Sequence, residues 1–100
     1  MSNRQHDIER TLVGMVKRSG GLCLRWVCPG WTGIPSRIIL LPGGRIIFAD
    51  TRRPKNADEA ERGQYWRQKL RSLGFSVWKV HDWETVSAVE MLVKQLNVKR

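Results

Sequence analysis

The chain has 100 residues, 41% hydrophobic and 27% charged, with a net charge of +9 and a pI near 10.6. That length suggests one domain over residues 1–100, with a small core to which a second copy could add, and the composition excludes a disordered chain. No apolar run approaches the roughly 20 residues that cross a bilayer, and the polar start "MSNRQHDIER" does not read as a signal peptide. The expectation is an intracellular, cytoplasmic protein with no membrane partner.

The elements follow in chain order. Ile8, Leu12, Val13, Met15 and Val16 recur at helical spacing between Asn3 and Ser19, and Gly20 and Gly21 end that helix. "LCLRWV", residues 22–27, alternates Leu22, Leu24 and Trp26 with other residues and reads as a strand. "CPGWTGIPS", residues 28–36, is a Pro/Gly loop. "RIILL", residues 37–41, and "RIIFAD", residues 45–50, are strands joined by "PGG" as a hairpin. "TRRPKN" breaks the pattern. A helix from Ala57 to Leu73 carries its acids early and its bases late, which suits the helix dipole, and Gly74 stops it. "FSVWKV", residues 75–80, is a further strand, and Asp82 caps a last helix with Val86, Val89, Leu92, Val93 and Leu96 on one side. The order α-β-β-β-α-β-α predicts an α/β domain with a mixed sheet flanked by helices.

The basic balance favours a polyanionic partner. Nucleic acid leads over an acidic membrane, because no strongly basic amphipathic helix is present. Cys23 and Cys28 are the only cysteines. They read as small buried hydrophobes, since no second pair of close ligands completes a zinc site. Ser36 and His81 do not suggest a hydrolase triad, because no nucleophile-elbow glycines surround the serine.

The hairpin supplies a candidate site. Cleaving a phosphodiester with Mg²⁺ or Mn²⁺ needs oxygen ligands that converge on the ion, with a cation nearby to offset charge on the phosphate. The start of one antiparallel strand lies beside the end of its partner, which places Ser36 near Asp50. Arg52, two residues on, points to the same face as Asp50. Plainer readings exist for each residue. Asp50 could end a strand before a turn. Glu9 could be an exposed helix charge, and Gln64 an exposed helix position. Arg52, Arg53 and Lys55 could be a solvated run, although their clustering suits phosphate contact. Trp31, in the Pro/Gly loop, could stack on an unpaired base or cover the core.

The pieces "IER", "RWVCPGWTGIPSRIILLPGGRIIF", "ADTRRPK" and "GQYWRQKLRSLGFSVWKV", with the closing helix, cover nearly the whole chain. Together they resemble the VRR-NUC family, the virus-type replication and repair nucleases of the PD-(D/E)xK superfamily. The resemblance implies a restriction-endonuclease-like core. It places a helix acid on Glu9, the Pro of a Pro-Asp pair on Pro35 with Ser36 in place of Asp, a Glu-x-Lys on Asp50 and Arg52, and a Gln on Gln64. The metal ligands it implies are Asp50, the main-chain carbonyl of Thr51, Ser36 at the usual Asp position, and Glu9 through a water. The expected DNA contacts, from basic clustering and the loop tryptophan, are Arg25, Trp31, Arg37, Arg45, Arg53 and Lys55.

The activity it implies is divalent-metal-dependent, structure-specific cleavage of DNA, such as Holliday-junction resolution, by a homodimer of phage or prophage origin. The departures at Ser36, Asp50 and Arg52 weaken that expectation. Asp50 is shorter than Glu by about 1.5 Å, serine is neutral, and arginine stays protonated and cannot act as a base. The alternatives are a branched-DNA-binding module without catalysis, and a basic scaffold whose contacts would show no steep salt dependence toward DNA.

Overall fold

The computed structural model describes residues 4–98. Helix α1 (Arg4–Arg18) is followed by strands β1 (Leu22–Arg25), β2 (Arg37–Leu41) and β3 (Arg45–Asp50), helix α2 (Ala57–Ser72), strand β4 (Ser76–Lys79) and helix α3 (Trp83–Val98). This is the expected order; the predicted start of α1 at Asn3 lies outside the described residues. The sheet order is β1-β2-β3-β4, antiparallel through β3 and parallel between β3 and β4. A parallel pair needs a crossover, and α2 provides it.

Local chemistry sets the boundaries. In the hairpin, Leu41 pairs with Arg45 across Pro42-Gly43-Gly44, and both glycines take the positive φ that the turn needs. At the start of α2, Asn56 Oδ1 accepts the Glu59 N–H, and Glu59 reaches back to accept the Lys55 N–H. Its end is a Schellman turn. Gly74, at φ 97°, donates to Arg71 O, and Phe75 donates to Leu70 O. Asp82 Oδ1 accepts the Thr85 N–H and caps α3.

The sheet has a core on each side. On one face α1 and α3 bury Ile8, Leu12, Val89 and Val93 against Ile39 and Ile47. On the other, Leu70 of α2 packs with Phe48 and Val77, and Trp26 and Ile38 lean on them. The β1 alternation has the opposite sense to a Leu-inward strand. Cys23 is buried in the first core, whereas Leu22 and Leu24 are exposed on the other face. The cause is that α2 contacts the sheet at β4 and leaves the β1 end of that face open.

The same alternation divides the end of β3. Ile47 and Ala49 face α1 and α3, and Phe48 faces α2. One residue on, Asp50 is directed to the α2 side, where it meets Arg67. Thr51 is directed to the α1 side, where it meets Glu9.

Candidate active site

Two polar clusters result, one on each side of the sheet. On the α1 side, Ser36 and Thr51 are buried and hydrogen-bonded to each other. The Thr51 N–H donates to Ser36 Oγ at 3.0 Å, and the two hydroxyls lie 2.8 Å apart. Thr51 gives its hydroxyl proton to Glu9 Oε1 at 2.9 Å, so Ser36 must donate to Thr51. The Arg37 guanidinium donates to Glu9 Oε2 at 2.8 Å, and Gln5 donates to Oε1. Partial burial pushes the Glu9 carboxyl up, but the bonds from Arg37, Gln5 and Thr51 outweigh it and hold the group below its ordinary value.

On the α2 side, Asp50 opens into a cavity of about 280 Å³. Arg67 Nη1 lies 3.8 Å from Asp50 Oδ2, and the Arg52 N–H lies 3.4 Å from Oδ1. Burial raises the Asp50 pKa; the Arg52 N–H and the charges of Arg52, His81 and Arg67 offset this only in part. His81 lines the same cavity. Its pKa is lowered by burial, against the pull of Asp50, and its Nε2 is buried with no hydrogen-bond partner among the described residues. Arg52, Arg53, Lys55, Arg67 and Lys79 line the cavity against two carboxylates, Asp50 and Glu59. The hollow is therefore cationic.

The structure thus separates residues that the sequence reading grouped. Asp50, Arg52, Arg53, Lys55 and Trp31 meet at the cavity. Glu9, Ser36 and the Thr51 side chain do not line it, and neither does Arg37, which is committed to Glu9. Arg25, exposed on β1, pairs in register with Arg37 and is not a lining residue. Arg45 is at the far end of β3, about 17 Å of strand from Asp50. Gln64 is exposed and also lies outside the cavity; its neighbours Gly63 and Arg67 are the α2 residues beside Asp50.

Sequence reasoning missed Arg67, Lys79 and His81. The signal for Arg67 lay in helical spacing, because Gly63, Arg67 and Leu70 share a face and Leu70 is a core residue. Lys79 pairs with Asp50 across the parallel β3–β4 ladder, and His81 follows two residues later. That register could not be read from spacing.

The oxygen donors do not form a closed metal centre. Among the described residues no group of three or more His, Cys, Asp or Glu side chains could hold an ion. Glu9 is engaged by Arg37 and Thr51, and both hydrogen-bonding roles of Ser36 are used within its own cluster. Asp50 remains as one carboxylate at the cavity. Mg²⁺ is commonly held by one or two carboxylates completed by substrate phosphates and water. The residues present therefore fit an ion that arrives with a phosphate, not one bound beforehand. Cys23 is buried and Cys28 half-buried, both as free thiols, and burial pushes the Cys23 thiol up to about 11.

The fold defines the class. No family model matches the chain. A solved structure described as a VRR_NUC domain superposes with a TM-score of 0.71 at 20% identity, over 88% of this chain and 95% of that one. The chain has that restriction-endonuclease-like fold, and the resemblance read from the sequence holds in three dimensions. The chain is also 41% identical over 51 residues to "Putative nuclease p44" of Acyrthosiphon pisum secondary endosymbiont phage 1. The matched stretch is 51% of this chain and 55% of that relative, so the chain spans about half the length of the protein it matches.

Proposed function

We propose that the chain is a DNA structure-specific nuclease with an impaired catalytic centre, which binds branched DNA at the cavity beside Asp50. The observation that carries this reading is a hollow at the end of β3 where five cations outnumber two carboxylates, Asp50 and Glu59, on a nuclease fold. Asp50 would be the oxygen donor to Mg²⁺ or Mn²⁺. A bound divalent ion would polarise the phosphate and activate a water. The other roles belong to the chain itself. Arg52 and Arg67 lie beside Asp50 and offset charge on the phosphate oxygens. Arg53, Lys55 and Lys79 hold the backbone. Arg52 is permanently protonated, so it orients and neutralises but takes no proton.

The phage relative, named a putative nuclease, supports a nuclease of phage origin; a four-way junction is the substrate that the family resemblance implies. A junction presents two symmetric cuts, which suits a homodimer. The exposed Leu22 and Leu24 give a second copy an apolar surface.

The Ser36–Thr51–Glu9–Arg37 cluster favours a second reading, a branched-DNA-binding module that does not cut. Its hydrogen bonds close without any ion. A labelled four-way junction incubated with Mn²⁺ or Mg²⁺ separates the two. The chain is run beside a variant carrying Ser36→Asp, Asp50→Glu and Arg52→Lys. Slow cutting by the chain supports the impaired nuclease. Binding without cutting, with cutting by the variant, supports the module. If neither binds in a salt-dependent way, both readings fail.

A further inference from the structure

One aromatic residue at the cavity is firmly held yet not buried. The loop between β1 and β2 is fastened at several points. The Trp31 N–H donates to Cys28 O in a turn, and Gly30 and Gly33 take φ of 89° and 86°. A Cβ on Gly33 would lie 2.7 Å from Arg62 Cβ and 2.8 Å from the Arg62 carbonyl carbon, so the loop rests directly on the α2 backbone. Thr32 is tied twice. Its carbonyl accepts the Trp66 indole N–H at 3.0 Å, and its hydroxyl accepts from Arg62. Trp31 meets Trp66 edge-on, with ring centroids 5.5 Å apart at 78°, and Tyr65 meets Trp66 in the same manner.

Despite this anchoring, Trp31 is 62% exposed and forms part of the cavity wall. A core-covering tryptophan would be buried; an indole fixed at the mouth of a cationic hollow is preorganised for a ligand. The ligand must match two features. It must be anionic, to suit Arg52, Arg53 and Lys55, and it must carry a flat apolar face for Trp31. An unpaired nucleotide has both. Bases within a duplex do not, because their faces are stacked on one another. A cavity of about 280 Å³ is also just below the smallest usual small-ligand sites, of about 300 Å³. It suits one nucleotide and not a stretch of duplex.

We infer that Trp31 forms the stacking wall of a subsite for one unpaired nucleotide, so that the chain selects DNA in which a single-stranded nucleotide adjoins a duplex. The inference rests on the DNA-binding reading above, not on its four-way-junction form, whose nucleotides are all paired, and names what that cavity recognises. Phosphates bind the cationic side and the base of the unpaired nucleotide lies on Trp31.

The test is fluorescence anisotropy with three labelled DNAs: a blunt duplex, the same duplex with a short single-stranded overhang, and that overhang with an abasic nucleotide next to the duplex. The overhang should bind more tightly than the blunt duplex, and the abasic nucleotide should remove the gain. Trp31→Ala should weaken overhang binding by about tenfold or more, change blunt-duplex binding far less, and keep the helical circular dichroism. Trp31→Phe should keep part of the preference. Lys55→Glu should weaken all three DNAs together. Equal affinity of the original chain for the based and abasic overhangs overturns the stacking subsite, whatever the variants do, and leaves the DNA-binding reading standing. Absence of salt-dependent binding to any of the three overturns both.

Discussion

Replacing Ser36 by Asp restores the carboxylate that the nuclease pattern expects, and the structure says what it costs. Ser36 is 8% exposed and both donates and accepts within its cluster. An ionised Asp accepts only. Thr51 would then have two carboxylates to serve with one hydroxyl proton. The hydrogen-bonded chain from position 36 through Thr51 to Glu9 has links of 2.8 and 2.9 Å. Two like charges about 5–6 Å apart repel by about 3 kcal/mol at an effective dielectric of 20. Arg37 relieves part of this from the Glu9 side. The net expectation is a loss of about 2 kcal/mol, or roughly 10 °C of Tm for a chain of this length. A cation that binds only the folded variant should return stability, by about 2.7 kcal/mol at a hundredfold excess over its Kd. Thermal melts of the parent and Ser36→Asp, with and without Mn²⁺, provide the assay. An unchanged Tm for the variant in chelator would show that the Ser36 cluster does not disfavour a carboxylate at position 36. A destabilised variant that Mn²⁺ fails to restore would show that position 36 cannot contribute to a metal centre.

Three further outcomes are expected. Burial raises the Asp50 pKa, so its ionised form opposes folding at neutral pH. That group favours the fold below its ordinary pKa and the contribution is lost as pH rises through the folded value. Asp50→Asn should therefore raise Tm at pH 7, with a smaller gain near pH 4, by differential scanning fluorimetry. Glu9 has the opposite sign. Its folded pKa is lowered, so its stabilisation is present above the ordinary carboxylate value and lost as pH falls through the folded one. A double-mutant cycle of Glu9→Gln and Arg37→Ala in urea should give a coupling of about 1–3 kcal/mol, and additive losses would contradict the mostly buried pair. Gly33→Ala meets both a positive φ and the Arg62 backbone. It should cost about 2 kcal/mol or more in urea unfolding, and a neutral result would mean that the loop is not seated on α2.

The elements were legible because their punctuation is chemical. Gly20, Gly43, Gly44 and Gly74 adopt the positive φ that helix ends and the hairpin require, and Asn56 and Asp82 supply caps. The site was legible only along single strands. Period-two alternation puts Asp50 and Arg52 on one face, and both line the same cavity. It does not say which helix covers which face. Glu9 was therefore grouped with Asp50, although α1 lies across the sheet from α2. Arg37 read as a phosphate contact, because its partner Glu9 is 28 positions away. Lys79 and His81 reach the site through a parallel register that only the folded crossover establishes.

The departure at Ser36 is accommodated by physical contacts on the α1 side. An acid at position 36 beside Glu9 would call for a cation between them. With serine there, that demand is removed. The hydroxyl completes a chain of hydrogen bonds through Thr51, and Arg37 supplies the positive charge that Glu9 still needs. The α1 side is thus satisfied as it stands, with no buried carboxylate left unpaired. The α2 side is different. Asp50 is held with a raised pKa in a cavity where five cations outnumber Asp50 and Glu59, and His81 Nε2 has no hydrogen-bond partner among the described residues. Unspent positive charge facing an open hollow is a demand for an anion. Binding a phosphate backbone meets that demand without any help from Glu9 or Ser36, whereas efficient metal-dependent cleavage would require them. DNA binding should therefore persist in variants of the Ser36 cluster and disappear in variants of the cavity cations.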